Sequence, residues 1–301
     1  MSPLIVACLA ATWLIWGSTY LAIKWALVSL PPFFQMGTRF LVAGVLLLAW
    51  MRVVRKAPSP TRRQWAHATW VGVLMLGGGM GGTAYAEQTV ESGLVVAFIA
   101  AVPIVIAAIN AWWKIYPSRL EAAGIVTGLV GVLMLTQGAG FKASPTGLVA
   151  IALACITWCL GSVLSQRRWI LAPGAIGFAS EMIGGGGALM LMSLVAGEPA
   201  AIVLNWPFHV EAVLAWLYLV VFGSLLAFNA YMVLLARAPA GLASSYTFVN
   251  PVIAMVLGVA LAGEVVTPWE WWAAAVIVGG VLLLMARRSA ATKRPAAASS
   301  F

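Results

Sequence analysis

The 301-residue sequence contains no aspartate, and only 8% of its residues are charged. A soluble domain carries about 25% charge, so this chain lacks the polar groups to cover a water-facing surface. Histidine is nearly absent too: His67 and His209 fall near the ends of apolar runs, at opposite faces. Neither G-x-S-x-G nor H-E-x-x-H occurs. Hydrolytic and metal chemistry need such groups close together, so the expectation is that the protein is not an enzyme. Cys8, Cys155 and Cys159 all lie inside apolar runs. Cys155 and Cys159 share a helix face, but two thiols without a nearby His or Asp are poor zinc ligands, and no cysteine framework staples an outer domain. The glycine runs "GGGMGG" (77–82) and "GGGG" (184–187) are followed by no basic residue in phosphate-loop spacing. They read as close-packing helix surfaces, and no cofactor or metal is expected.

What is present is hydrocarbon: 63% of the residues are hydrophobic. A membrane helix needs about 20 consecutive apolar residues. Ten runs qualify, at 4–28, 33–54, 65–86, 92–113, 120–138, 146–166, 174–196, 212–236, 240–262 and 269–287. The expected fold is an all-α integral membrane protein of ten transmembrane helices. The first run lacks a basic start and a cleavage site, so it reads as a retained span.

The net charge of +9 would suggest nucleic acid in a soluble protein. Here its distribution gives topology, and no nucleic-acid partner is expected. Arg52, Arg55, Lys56, Arg62 and Arg63 follow span two, Lys114 and Arg119 span four, Arg167 and Arg168 span six, and Arg237 span eight. Arg287, Arg288, Lys293 and Arg294 make the tail. With alternating spans these segments share one side, which the positive-inside rule makes cytoplasmic. Of the 17 Lys and Arg, only Lys142 falls in an outer loop, while Lys24 and Arg39 lie within spans. Both termini are then cytoplasmic, in the plasma membrane of a bacterium (its inner membrane). Residues 289–301 read as a disordered basic tail.

A proline stands mid-run in "AAVPIVIA" and again in "FVNPVIAM", at Pro103 and Pro251. The same spacing carries Gly93-Leu94 onto Gly241-Leu242, and a close one carries Gly17-Ser18 onto Gly161-Ser162. The chain therefore divides into two five-span repeats, 1–140 and 141–288. An odd number of spans per repeat inverts the second relative to the first, the usual architecture of secondary transporters, with the solute site between the repeats. Pro103 and Pro251 become matched hinges or site-lining kinks, against the alternative that prolines are simply common in membrane helices.

"WLIWGSTYLAIKWAL", "RFLVAGVLLL", "GLVVAFIAAVPIVIAAI" and "GLASSYTFVNPVIAMVLGVALAGEVVTPWEWWAAAVIVGGVLLL" resemble EamA-type members of the drug/metabolite transporter superfamily across nearly the whole chain. The most specific part is Gly263-Glu264. The first half departs from the family pattern, with Trp113-Lys114 where it usually repeats Gly-Glu. The resemblance implies ten helices and export of small metabolites, and it extends to amino-acid exporters, the aromatic amino-acid exporter included.

Most of the 15 tryptophans fall at the membrane–water boundary, but Trp13, Trp16 and Trp158 fall near the midplane of spans one and six. A buried indole N–H needs an acceptor or a watery cavity. Trp13, Trp16, Gly17, Tyr20 and Lys24 share one stripe of the first helix. Tyr85 and Gln88 on span three, Ser224 and Tyr231 on span eight, and Ser244, Ser245, Tyr246 and Asn250 on span nine complete a cavity wall, with Ser18 and Ser162 on spans one and six. The alternative for each is helix packing, in which glycine, serine and aromatics are equally at home. Such a cavity suits an organic solute with an apolar body and a small polar head. Lys24 can snorkel to the outer surface. Arg39 and Glu181 lie deeper, where a charge costs about 2.5–3.5 kcal/mol on insertion scales. Either Glu181 has a proton or solute-amine role during the cycle, or Arg39 and Glu181 are structural, bonded to carbonyls or lying at a gate.

The expected function is a secondary transporter exporting small organic metabolites, amino acids foremost, with the two five-helix repeats rocking about a shared cavity. Export of cationic drugs, or solute import, is the alternative. No charged ring or filter-like loop supports a channel. Solute and lipid are the expected partners, and a monomer suffices. Single-cysteine labelling near each end of the chain should find both ends on the cytoplasmic face; ends on opposite faces would overturn the inverted arrangement.

Overall fold

A computed structural model describes residues 2–90, 95, 98–137, 144–262 and 267–292; the Tyr20 side chain is among a few in these ranges that lie outside the described residues. The described chain is helical and contains no β-sheet. α1 (Pro3–Ala26) and α2 (Pro32–Val53) each begin on a proline, where its missing N–H is not needed. α3 starts at Arg62–Gly72, passes through a π-wound stretch, Val73–Gly81, and ends in Gly82–Ala86. Thr61 and Gln64 cap its start reciprocally. α4 (Val102–Ala111) follows a break at Ala101, and Ser118 caps α5 (Arg119–Thr136). In the second half, Ser144 caps α6 (Pro145–Arg167), and α7 (Ala175–Val195) leads to a short helix, Glu198–Leu204. α8 joins Val210–Tyr218 to Asn229–Arg237 through a second π-wound stretch, Leu219–Phe228. A turn at Ala240–Ala243 leads into α9 (Tyr246–Ala262), and α10 (Pro268–Thr292) follows.

Among the described residues, seven helices are long and apolar enough to cross a membrane: α1, α2, α6, α7, α8, α10 and the stretch from Ala240 into α9. The run expected at 92–113 appears as a shorter apolar helix, Phe98–Ala111. The matched prolines are not equivalent in their backbones. Pro251 lies inside α9, whereas Pro103 sits in the first turn of α4, just after the break. Proline cannot donate to a preceding turn, so a helix restarting at Val102 accommodates it without loss. Gly93-Leu94 and Gly263-Glu264 lie outside the described residues.

Packing interleaves the halves. α2 runs along α7 and α5 along α10; α1 packs on α8 and α9, α6 on α3 and α4, α2 on α8, and α7 on α3. Exchanging α1 with α6, α2 with α7, α3 with α8, α4 with α9 and α5 with α10 leaves this set of pairs unchanged. Even the π-wound stretches are exchanged. Two carboxylates fasten one half to the other at helix starts. Glu198 accepts from the N–H groups of Phe33 (3.0 Å) and Phe34 (2.7 Å) in the first turn of α2. Glu121 accepts from Gly241 N at 3.1 Å. Carboxylate acceptors are favoured at helix N-termini, where donors lack partners and the dipole is positive.

The glycine runs are contact surfaces. A Cβ on Gly185 would lie 2.6 Å from the carbonyl oxygen of Gly72, whereas one on Gly187 would meet nothing within 4 Å. Gly185→Ala should therefore lower stability by about 1–3 kcal/mol, read as thermal unfolding in detergent micelles, and Gly187→Ala should leave it unchanged. Equal effects would refute the close-packing assignment.

Candidate functional site

The midplane tryptophans meet. Trp16 of α1 and Trp158 of α6 lie 5.8 Å apart between ring centroids, at 74°. Tyr231 of α8 sits 5.1 Å from Trp16 and 5.3 Å from Trp158. Tyr246, at the head of α9, lies 4.7 Å from Trp16 and 5.4 Å from Tyr231. Each such pair contributes about 0.5–1.5 kcal/mol beyond area burial. Four rings from four helices thus form one buried cluster.

Their polar atoms are tied to neighbouring helices. Trp16 Nε1 donates to Gly223 O (3.3 Å), and Trp13 Nε1 donates to Ser245 Oγ (3.0 Å). The Tyr231 hydroxyl pairs with Ser162 Oγ at 3.1 Å. Asn250, with its amide nitrogen turned toward the surrounding carbonyls, donates to Tyr246 O (3.0 Å) and Trp13 O (3.2 Å). The Trp158 N–H is buried without a hydrogen bond. Both tryptophans lean on π-wound backbone. Gly223 belongs to the stretch in α8, and a Cβ on Gly79, in the stretch of α3, would lie 2.9 Å from Trp158 Cε3. Such windings recur at functional sites.

Beside the cluster lies a cavity of about 60 Å³, bounded by Trp16, Trp158, Tyr246, Asn250, Thr19 and Thr83 among others. Sequence reasoning missed the two threonines. Thr19 lies one helical turn beyond Trp16, and Thr83 one turn beyond Gly79, so spacing from the aromatic and glycine positions could have found them. A small-molecule pocket measures about 300–1,000 Å³, so this space is too small for an organic solute as it stands. A second cavity, about 430 Å³, lies among Pro103, Asn110, Tyr116, Glu121, Gln166 and Arg167. α4 divides the two: Val102 borders the small cavity and Pro103 the large one. Glu121 was not singled out from sequence.

Other expected wall residues lie elsewhere. Ser18 bonds the Tyr218 hydroxyl at 2.6 Å, and Ser244 donates to Ala240 O at 2.8 Å. Tyr85 is exposed and stacked on Phe33 at 5.8 Å, and Gln88 donates to Tyr85 O. None of these four borders the small cavity. Lys24 is exposed, as a snorkelling side chain should be. Glu87, just past the end of α3, has its carboxyl pushed up to about 8 by burial, with Lys24 acting in the opposite sense.

The intramembrane charges do not bond to carbonyls. Arg39, fully buried, donates from Nε to Ser224 Oγ at 2.7 Å and from Nη1 to Met36 Sδ at 3.5 Å; its Nη2 has no partner. Glu181 is equally buried, and neither carboxyl oxygen has a partner. The structural role expected through carbonyl bonds is therefore not made. Arg39 and Glu181 stand on the neighbouring helices α2 and α7, and no hydrogen bond joins them.

An apolar helical bundle with an aromatic-walled cavity between its interleaved halves fits the pattern of secondary transporters. The chain belongs to the EamA-like transporter family, which matches it over residues 2–137 and again over 145–286. It is 38% identical over 264 residues to YedA of Escherichia coli, described as an uncharacterized inner membrane transporter, covering 87% of this chain and 84% of that one. An uncharacterized transporter of Synechocystis is 25% identical over 285 residues, with 87% and 84% covered. A crystal structure with 23% identity shares the fold, with a TM-score of 0.76 over 95% of this chain and 99% of that one.

Proposed function

We propose that this protein exports small organic metabolites, amino acids including aromatic ones foremost, by alternating access about the cavity beside Trp16 and Trp158. The observation that carries this reading is the joining of aromatic side chains from α1, α6 and α9 around one small, largely apolar space, with Tyr231 of α8 packed on the same rings. Rings accept an apolar side chain by stacking, while the Thr19 and Thr83 hydroxyls, the Asn250 amide and the Trp158 N–H offer partners to a polar head. At about 60 Å³ the space holds no amino acid, so solute enters only when the helices part.

The packing favours two interleaved moving bodies over two sequential halves. α1 with α8 and α9 faces α6 with α3 and α4, while the pairs α2–α7 and α5–α10 stand where the exchange maps them onto themselves. The repeats 1–140 and 141–288, inverted and crossing the membrane ten times, account for that exchange, and the double family match supports them. With the basic loops cytoplasmic, the 430 Å³ cavity is an inner vestibule and both termini lie inside. The break at Ala101 and the interior Pro251 are the places where α4 and α9 bend.

Counterflow in proteoliposomes, with amino acids, sugars and cationic dyes in parallel, tests the substrate class. Accumulation of aromatic and aliphatic amino acids is expected; uptake of dyes alone would shift the assignment to multidrug efflux. Glu181, with both oxygens unsatisfied, is the coupling group in this scheme. Glu181→Gln should abolish accumulation driven by a pH gradient and spare counterflow. Unchanged gradient-driven accumulation would remove Glu181 from the cycle.

A further inference from the structure

We infer that Arg39 is the anchor for a solute carboxylate in the central site, an assignment that rests on the transport role proposed for that cavity. Arg39 is the largest side chain buried to this degree in the described bundle. A guanidinium is always charged and presents five donors. Only two donor atoms are engaged here, one by a neutral hydroxyl at 2.7 Å and one by a thioether at 3.5 Å, while Nη2 is buried without an acceptor. No carboxylate pairs with it among the described residues; Glu181, on the adjoining helix α7, is itself without a hydrogen-bond partner. A buried charge without a counter-ion is expensive. What such a charge lacks is an anion.

Its place in the fold shows where that anion comes from. A Cβ on Gly223 would lie 2.8 Å from Arg39 Nη2 and 3.4 Å from Thr19 Cγ2, and the Gly223 carbonyl takes the Trp16 N–H. Trp16 and Thr19 both border the cavity. The guanidinium therefore stands one side-chain layer behind the cavity wall, with glycine leaving it room. Trp16 and the π-wound turn of α8 are the screen between them, and outward movement of that turn brings Nη2 to the solute. Ser224 fixes Nε meanwhile, which aims the fork. Among the described residues the cavity border itself carries no cation, so Arg39 behind it is the positive charge at hand. One guanidinium beside aromatic walls matches a singly charged carboxylate on an apolar or zwitterionic solute better than a multiply charged phosphate.

The test compares L-phenylalanine, L-leucine and L-threonine with their amides, which lack the carboxylate. Binding to the purified full-length protein is read by tryptophan fluorescence, and transport by counterflow. The wild type should prefer each acid over its amide by tenfold or more. Arg39→Gln should lose the acids at least tenfold and hold the amides within twofold, and Arg39→Lys should keep part of the preference. If Arg39→Gln does not fold, Ser224→Ala supplies the measurement, with a several-fold weakening confined to the acids. A folded Arg39→Gln that keeps the acid preference, or a wild type with none, overturns the assignment. Wild type that carries dyes or sugars but no amino acid in acid or amide form refutes the transport reading itself, and Trp16→Ala with normal counterflow refutes the cavity as the route.

Discussion

The centre of this structure is organised by the need of polar groups in hydrocarbon to find partners inside the protein, and the few groups left without one stand out against it. An unsatisfied backbone or side-chain group costs several kcal/mol where no water can reach it. The tryptophan and tyrosine rings at the centre meet that need across helices: Trp16 through a carbonyl of α8, Trp13 through a hydroxyl of α9, and Tyr231 through a hydroxyl of α6. These bonds link segments more than sixty residues apart in sequence. The same rings that fill the centre therefore also set which helices are neighbours.

Much of the fold was legible because the bilayer dictates it. Run length, the placement of arginine and lysine, and the near-absence of charge elsewhere follow from the cost of putting polar groups in lipid. The meeting of Trp16 and Trp158 was legible for the same reason, since a midplane indole facing lipid is wasteful. Register between helices was not. Nothing in the pattern around Ser18 or Ser244 distinguishes a cavity wall from a helix contact, and both turned out to bond locally or to a packing neighbour. The π-wound stretches were equally invisible; the one in α3 packs on α6 and α7, and the one in α8 on α1 and α2. Pro103 shows the limit from another side: its neighbours end one helix and begin the next, so the residue that looks like a kink marks a start.

The two fastening carboxylates show how a mobile bundle keeps its ends defined. Glu198 holds the first turn of α2 by two backbone donors, and Glu121 holds the turn before α9 by one. Each joins an element of one half to an element of the other. These hydrogen bonds go to backbone N–H groups, which every side chain at those positions would leave in place. Their strength lies in the unsatisfied donors of a helix start, which every helix has.

Val102 and Pro103 are consecutive residues that face different chambers. One turn of backbone thus borders both spaces, and a displacement of that turn changes the boundary of each at once.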